Sequence, residues 1–184
     1  MFKQEDDKLI YKNITVVPSI HARAAFALEV RRLFLADSYD CVAVELPDSL
    51  REKVLEGIEE LPNVHVVVYQ DGAGAYGYVP IDPCDSIIEA IRLAVRERRC
   101  RLRFIDADVA NHSVEKVTLP DEYAALKLGI PTYYKAVAPH IKQAEKGSLD
   151  EQRERLMAYQ LQQLSKEFKK ILFVCGIRHV EAIG

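Results

Sequence analysis

The sequence predicts an α/β domain whose mainly parallel sheet of about five strands carries helices on both faces, a three-layer αβα arrangement. Short apolar runs alternate along the chain with amphipathic stretches of helical periodicity, and strands separated by helical crossovers are expected to run parallel. The run VHVVVY at 64–69 is polar on neither face, which favours a strand covered by helices on both sides. At 184 residues, the chain is expected to be one domain, residues 1–184.

The elements follow from local patterns read along the chain. Apolar runs of four to six residues predict strands, and apolar residues at helical spacing predict helices. Asp48 or Ser49 is a candidate N-cap for the second helix. The predicted strands are 13–18, 41–46, 64–69, 101–107 and 171–175. The predicted helices are roughly 22–36, 47–61, 85–99, 121–129, 131–145 and 149–169.

Composition excludes several functional classes. Lysine and arginine number 25 against 28 acidic residues, a net charge of −3, so no overall field favours nucleic acid or an anionic membrane. The five arginines at 96–103 are interpreted as a solvated basic edge. No apolar run reaches the length of a membrane span, and the charged N-terminus lacks the apolar core of a signal peptide. Four cysteines without paired spacing suit a reducing compartment, so a cytoplasmic location is expected.

A glycine-rich segment at 72–77 spells G-x-G-x-x-G directly after a predicted strand. A dinucleotide site needs a helix that begins within such a loop. Here Pro80 and Pro83 follow, and the next helix is predicted only near Asp85. We therefore favour a loop, 70–84, in which Tyr76 is available to touch a ligand.

Chemically capable side chains follow four of the predicted strands. His21 comes after the first strand, Glu45 ends the second, Asp106 and Asp108 end the fourth, and His179 follows the last. In an open parallel sheet, ligands bind beyond the carboxyl ends of the strands. Imidazole and carboxylate suit zinc, manganese or cobalt, and they also carry general acid–base catalysis.

Each of these residues also has an ordinary interpretation. His21 is compatible with a plain turn position, and Glu45 with a buried acid paired to a structural arginine. Asp106 and Asp108 are compatible with loop acids. His112, in the polar loop near Asp108, is a secondary candidate.

Several short motifs together resemble the TraB/Tiki group, which is related to the erythromycin esterase and ChaN-like proteins. GIRH at 176–179 is similar to the group's second G-x-x-H motif, and PSIH at 18–21 to the first, with Pro18 in the place of glycine. Glu45 occupies the position of the glutamate that ends the second strand. QRERLMAYQL at 152–161 resembles the group's E-R-D-x-x-M-A helix, with Gln152 replacing the first glutamate and Arg153 in the place of the arginine.

The resemblance implies a metal-dependent hydrolase-like site acting on a peptide, ester or amide. His21, Glu45 and His179 would be ligands of a divalent ion (manganese, cobalt or zinc) or acid–base groups, and Arg153 would hold an anion or a carbonyl. The substitutions at Pro18 and Gln152 leave an alternative: a non-catalytic domain that binds a ligand or serves as a scaffold. Haem binding, known among ChaN-like relatives, is a third and disfavoured option.

The resemblance also bears on the partners of the chain. It implies the N-terminal domain of a larger bacterial protein, whose C-terminal domains would follow Gly184. The expected partners are those domains and a small-molecule or peptide substrate, without nucleic acid and without a membrane.

Overall fold

The chain folds around a six-stranded sheet, as seen in a computed structural model that describes residues 3–5, 7–70, 73–109 and 118–184. The strands are β1 (Lys3–Glu5), β2 (Lys8–Tyr11), β3 (Ile14–Ser19), β4 (Cys41–Pro47), β5 (His65–Gln70), β6 (Tyr76–Ile81), β7 (Arg101–Asp106) and β8 (Ile171–Gly176). The helices are α1 (Ala24–Ala36), α2 (Arg51–Glu59), α3 (Ser86–Arg96), α4 (Glu122–Leu128), α5 (Ile130–Val137), α6 (Leu149–Glu167) and α7 (Val180–Ile183). None of the helices in these described ranges has the length and apolar character needed to cross a membrane.

The large sheet has the order β1-β2-β3-β8-β4-β7. Strands β3, β8, β4 and β7 run parallel, whereas β1 and β2 pair antiparallel at one end. The last strand therefore lies between β3 and β4, with Ser19 of β3 opposite Gly176 of β8. The predicted α/β class with a mainly parallel sheet is confirmed.

Two apolar cores lie on opposite faces of the sheet. Alternate residues of β8 divide between them, because Phe173 belongs to the core under α4, α5, α6 and α7 while Leu172 and Val174 belong to the core under α1, α2 and α3. Helix α1 contributes to both cores through Phe26 and Val30. Helices cover both faces, so the predicted three-layer arrangement is confirmed.

The predicted third strand does not belong to this sheet. Residues His65–Gln70 instead pair antiparallel with Tyr76–Ile81 in a separate two-stranded sheet, so the prediction of a doubly covered strand is wrong. Only one face of β5 is buried: Val67 is 9% exposed, whereas Val66 and Val68 are 55% and 64% exposed. An uninterrupted valine run conceals the alternation of a half-buried strand, because both faces are apolar. The prediction that 70–84 is all loop is wrong for the same segment.

Smaller differences concern the ends of elements. The helix predicted at 131–145 ends at Val137, where a 3₁₀ turn over Ala138–His140 follows. A 3₁₀ turn also precedes α2, whose first turn has no side-chain cap from Asp48 or Ser49. A short helix that was not predicted, α7, follows His179.

Candidate acid–base site

Four neighbouring strands deliver candidate residues to one edge of the large sheet. His21 follows β3, His179 follows β8, Glu45 lies near the end of β4, and Asp106 is the last residue of β7. Since β3, β8, β4 and β7 are adjacent and parallel, these residues leave the same carboxyl edge. A hydrogen bond of 2.8 Å from the Ile177 amide to the Ser19 carbonyl ties together the two turns that carry the histidines.

Glu45 is the buried carboxylate of this edge. Its Oε1 accepts a hydrogen bond of 2.7 Å from Nη2 of Arg153, and its Oε2 accepts one from the Gly176 amide. Burial alone would raise the pKa of Glu45, but the charges of His179 and Arg153 and the Gly176 amide outweigh it and lower that pKa. Glu45 is therefore held as a carboxylate.

Arg153 reaches the same point from α6, on the face of the helix that covers the sheet. Its Nη2 lies 2.6 Å from Asp106 Oδ2, its Nε bonds the same carboxyl group at 3.1 Å, and its Nη1 reaches Asp150 at 3.0 Å. The side chain is buried, and a guanidinium offers a planar fork of donors that suits such carboxylates. Arg153 thus joins β4, β7 and α6 in one ion-pair network.

His179 lies between two carboxylates. Its Nδ1 is 2.7 Å from Glu154 Oε1, and its Nε2 is 3.4 Å from Glu45 Oε1. Burial would lower the pKa of this imidazole, but the hydrogen bond to Glu154 and the charge of Glu45 raise it above its ordinary value. The buried ring therefore holds its proton more strongly than a free imidazole does.

His21 is the accessible member of the edge. Its Nδ1 lies 3.0 Å from Asp85 Oδ2, and its side chain is 63% exposed. The hydrogen bond to Asp85 raises the pKa of His21 above its ordinary value. Because Asp85 engages Nδ1, Nε2 is the other ring nitrogen that can donate or accept a proton.

Asp85 is positioned by the start of α3. Its Oδ1 accepts a hydrogen bond of 2.8 Å from the Ile87 amide, as an N-cap does. Its Oδ2 accepts the Ala22 amide at 3.1 Å as well as the His21 ring. Ala22 has a φ of 55°, a left-handed conformation that is strained for alanine, so this carboxylate fixes the turn that presents His21.

The donor set was also tested against a divalent metal. Within the described ranges of the chain, no group of three or more histidine, cysteine, aspartate or glutamate residues is arranged to hold a metal ion. Glu45 is bonded to Arg153 and Gly176, and Nε2 of His179 faces Glu45 rather than open space. In this arrangement the residues do not fit a bound ion.

The other predicted residues lie apart from this cluster or outside the described ranges. Asp108 accepts a hydrogen bond from the Ser49 hydroxyl. Tyr76 lies on β6 of the separate two-stranded sheet and is 76% exposed. His112 falls outside the described residues. Gln152 is exposed, with its amide 3.5 Å from the Gly147 carbonyl, so it lies outside the buried network.

Sequence reasoning missed Asp85, Asp150 and Glu154. A detectable signal existed in α6, where Asp150, Arg153 and Glu154 share the stripe of Met157 at spacings of three, four and seven residues. Charged residues on the apolar stripe of a helix need partners within the fold. Asp85 had a weaker signal, because an aspartate before an apolar helix is ordinarily explained as a cap.

Comparison of the chain with family models, curated proteins and solved structures finds no match in any of the three.

Proposed function

We propose that this edge is a hydrolytic site in which His21 acts as the general base toward an ester, amide or peptide carbonyl. The observation that carries the proposal is the pairing of Asp85 with Nδ1 of an exposed histidine, 3.0 Å apart, at the carboxyl edge of a parallel sheet. A carboxylate on one ring nitrogen fixes the tautomer and leaves the other nitrogen to exchange protons.

The proposed step begins with neutral His21. Nε2 takes a proton from water as the oxygen attacks the carbonyl carbon. The imidazolium then returns that proton to the departing oxygen or nitrogen, so that the bond to the leaving group breaks and the histidine is regenerated. Asp85 is a positioning residue here, since its charge stabilises the imidazolium and its hydrogen bonds hold the turn.

The buried network acts on His21 through its charges. The charges of Glu45 and Arg153 both act on the pKa of His21, the first raising it and the second lowering it. Glu45, Arg153 and His179 are 8%, 4% and 7% exposed, so we assign them to the floor of the site instead of to direct contact with substrate. The motif resemblance to the TraB/Tiki group supports a hydrolytic assignment without choosing among these substrates.

A hydrolysis assay with matched histidine variants tests the proposal. The substrates are p-nitrophenyl acetate, p-nitrophenyl butyrate and a fluorogenic alanyl amide. His21→Asn should lower kcat/KM by roughly 10²–10⁴-fold, the usual contribution of a general base. The control is His140→Asn, an exposed histidine on a 3₁₀ turn, which should match the wild type. Equal rates for the two variants, or a wild type no faster than buffer, would overturn the proposal.

A second candidate function is a non-catalytic scaffold, and one observation favours it. Glu45, Arg153 and His179 bond to one another and to neighbouring acids, as in an ion-pair network that only fixes a fold. This alternative predicts that His21→Asn changes neither hydrolysis nor stability. The assay above therefore separates the two functions.

A further inference from the structure

Strands β5 and β6 form a hairpin that lies against the rest of the domain. It packs on α2, and its inner face contributes Val67 and the fully buried Ile81 to the core. A methyl group on Gly57 of α2 would come within 2.9 Å of Ile81, which shows how closely helix and strand approach. The hairpin is thus held in place by its inner face.

Its outer face is apolar and exposed. The register pairs Val66 with Pro80, Val68 with Tyr78, and Gln70 with Tyr76 across the two strands. Val66, Val68, Tyr76 and Tyr78 are 55%, 64%, 76% and 71% exposed. A contiguous apolar patch on one face of a sheet is a signature of an interaction surface, unlike single exposed apolar residues.

The backbone of β5 is also available for pairing. Within the described residues, β5 has β6 as its strand neighbour on one side alone. Pro80 has no N–H, so its pair with Val66 suits the non-hydrogen-bonded kind. In that arrangement the amides and carbonyls of Val66, Val68 and Gln70 point away from β6, toward the side on which another strand could pair.

The charge pattern indicates which strand would fit. The outer strands of the large sheet, β1 and β7, carry charged residues, a common protection against edge-to-edge pairing. In contrast, His65–Gln70 contains no lysine, arginine, aspartate or glutamate. A neutral, valine-rich edge pairs with a copy of itself without like-charge repulsion.

We infer that β5 is a homodimerisation surface, on which β5 of a second copy adds antiparallel about a two-fold axis. Centring the pairing on Val67 places Val66 opposite Val68 of the second copy, and every pair between these residues is apolar. Residues of the exposed face then lie opposite residues of the exposed face in the second copy. The two exposed faces therefore join into one four-stranded apolar surface. Three or more strands are also the size at which a small sheet becomes independently stable.

Sedimentation velocity across a concentration series tests the inference, using wild type, Val68→Lys and Leu35→Lys. Leu35 is 70% exposed on α1, so its variant adds the same charge at a matched apolar site away from the hairpin. We expect a wild-type dimer, at least a ~100-fold weaker association for Val68→Lys, and less than a ~3-fold change for Leu35→Lys. Slower amide exchange at Val66 and Val68 at high concentration should accompany the dimer.

Two results would overturn the inference. One is a wild type that stays monomeric at every concentration. The other is equal dissociation of the two lysine variants, which would place the dimer contact elsewhere. Circular dichroism of both variants establishes that the fold is retained, as expected for substitutions at exposed positions.

Discussion

Oε1 of Glu154 lies 2.7 Å from Nδ1 of His179, joining α6 to the turn that follows β8. The other ring nitrogen of His179 faces Glu45 at 3.4 Å. An imidazole buried between two carboxylates is stabilised as the imidazolium, because both negative charges favour the protonated ring. The contacts that the turn after β8 makes with α6 and β4 therefore depend on the protonation of His179.

Replacing Glu154 with glutamine should lower the pKa of His179 toward its ordinary value and destabilise the fold by about 1–3 kcal/mol. The folded-state pKa of His179 is raised, so its stabilisation is fully present below about pH 6.5 and is lost as pH rises through the folded value. The loss in the free energy of unfolding caused by Glu154→Gln should thus be larger at pH 6 than at pH 9. Urea unfolding at both values measures it.

The control for that variant is Glu167→Gln. Glu167 also lies on α6, but its side chain is 60% exposed, 3.6 Å from Arg103. Its substitution should change the free energy of unfolding by no more than about 0.5 kcal/mol. A deficit for Glu154→Gln that does not change with pH would contradict the proton-linked account.

Arg153→Met should cost about 3–5 kcal/mol, because it leaves the carboxylates of Glu45 and Asp106 buried without their cation. The matched control is Arg155→Met on the same helix, where the arginine is 73% exposed and pairs with Glu151. That variant should lie within about 0.5 kcal/mol of the wild type. Chemical unfolding measures the free energy of unfolding of both variants. Similar losses would mean that the buried network stabilises the fold no more than a surface ion pair does.

Asp85→Asn should return the pKa of His21 toward its ordinary value, since the hydrogen bond that the His21 ring donates to Asp85 is the largest influence raising it. NMR titration of the His21 ring measures this directly. If His21 is the general base, wild-type kcat/KM rises with pH through the raised pKa, and in Asp85→Asn that rise moves to lower pH while the plateau falls. A lower plateau with no shift in the pH of the rise would contradict the proposal that Asp85 sets the pKa of His21 as the general base.

Gly176→Ala should disturb Glu45 without introducing backbone strain of the left-handed kind. A Cβ at this position would lie 3.2 Å from Glu45 Oε2 and 3.5 Å from His179 Cδ2. Such crowding typically costs about 1–3 kcal/mol. Thermal unfolding measures the loss, and a shifted His179 ring resonance should accompany it. An unchanged melting temperature would mean that the carboxylate moves aside freely.

Titration with zinc, manganese and cobalt tests whether the residues can rearrange around an ion. We expect no saturable heat from the wild type by calorimetry, because Glu45 and His179 are already engaged with protein groups. Saturable binding that disappears in both His21→Asn and His179→Asn would restore the metal site suggested by the motifs.

Of the six strands of the large sheet, the sequence did not predict β1 and β2, which lie in a charged N-terminal segment. It predicted the four parallel strands β3, β4, β7 and β8, because their apolar runs are separated by helical crossovers, and topology then sends their ends to one edge. That argument located His21, Glu45 and His179. It could not assign their partners, because which side chains meet depends on how α6 and α3 pack against the edge. The all-valine β5 was misplaced for a related reason: an apolar run does not say whether one or both of its faces will be covered.

The position of β8 has a consequence for folding during synthesis. This strand comes last among the strands in the chain, yet it lies between β3 and β4 in the sheet. During synthesis, β3 and β4 must therefore wait for more than 120 further residues before the strand that joins them leaves the ribosome. Long-range parallel pairing of this kind is slow, and it leaves apolar strand edges uncovered. We expect nascent chains that stop before Ile171 to be dependent on chaperones.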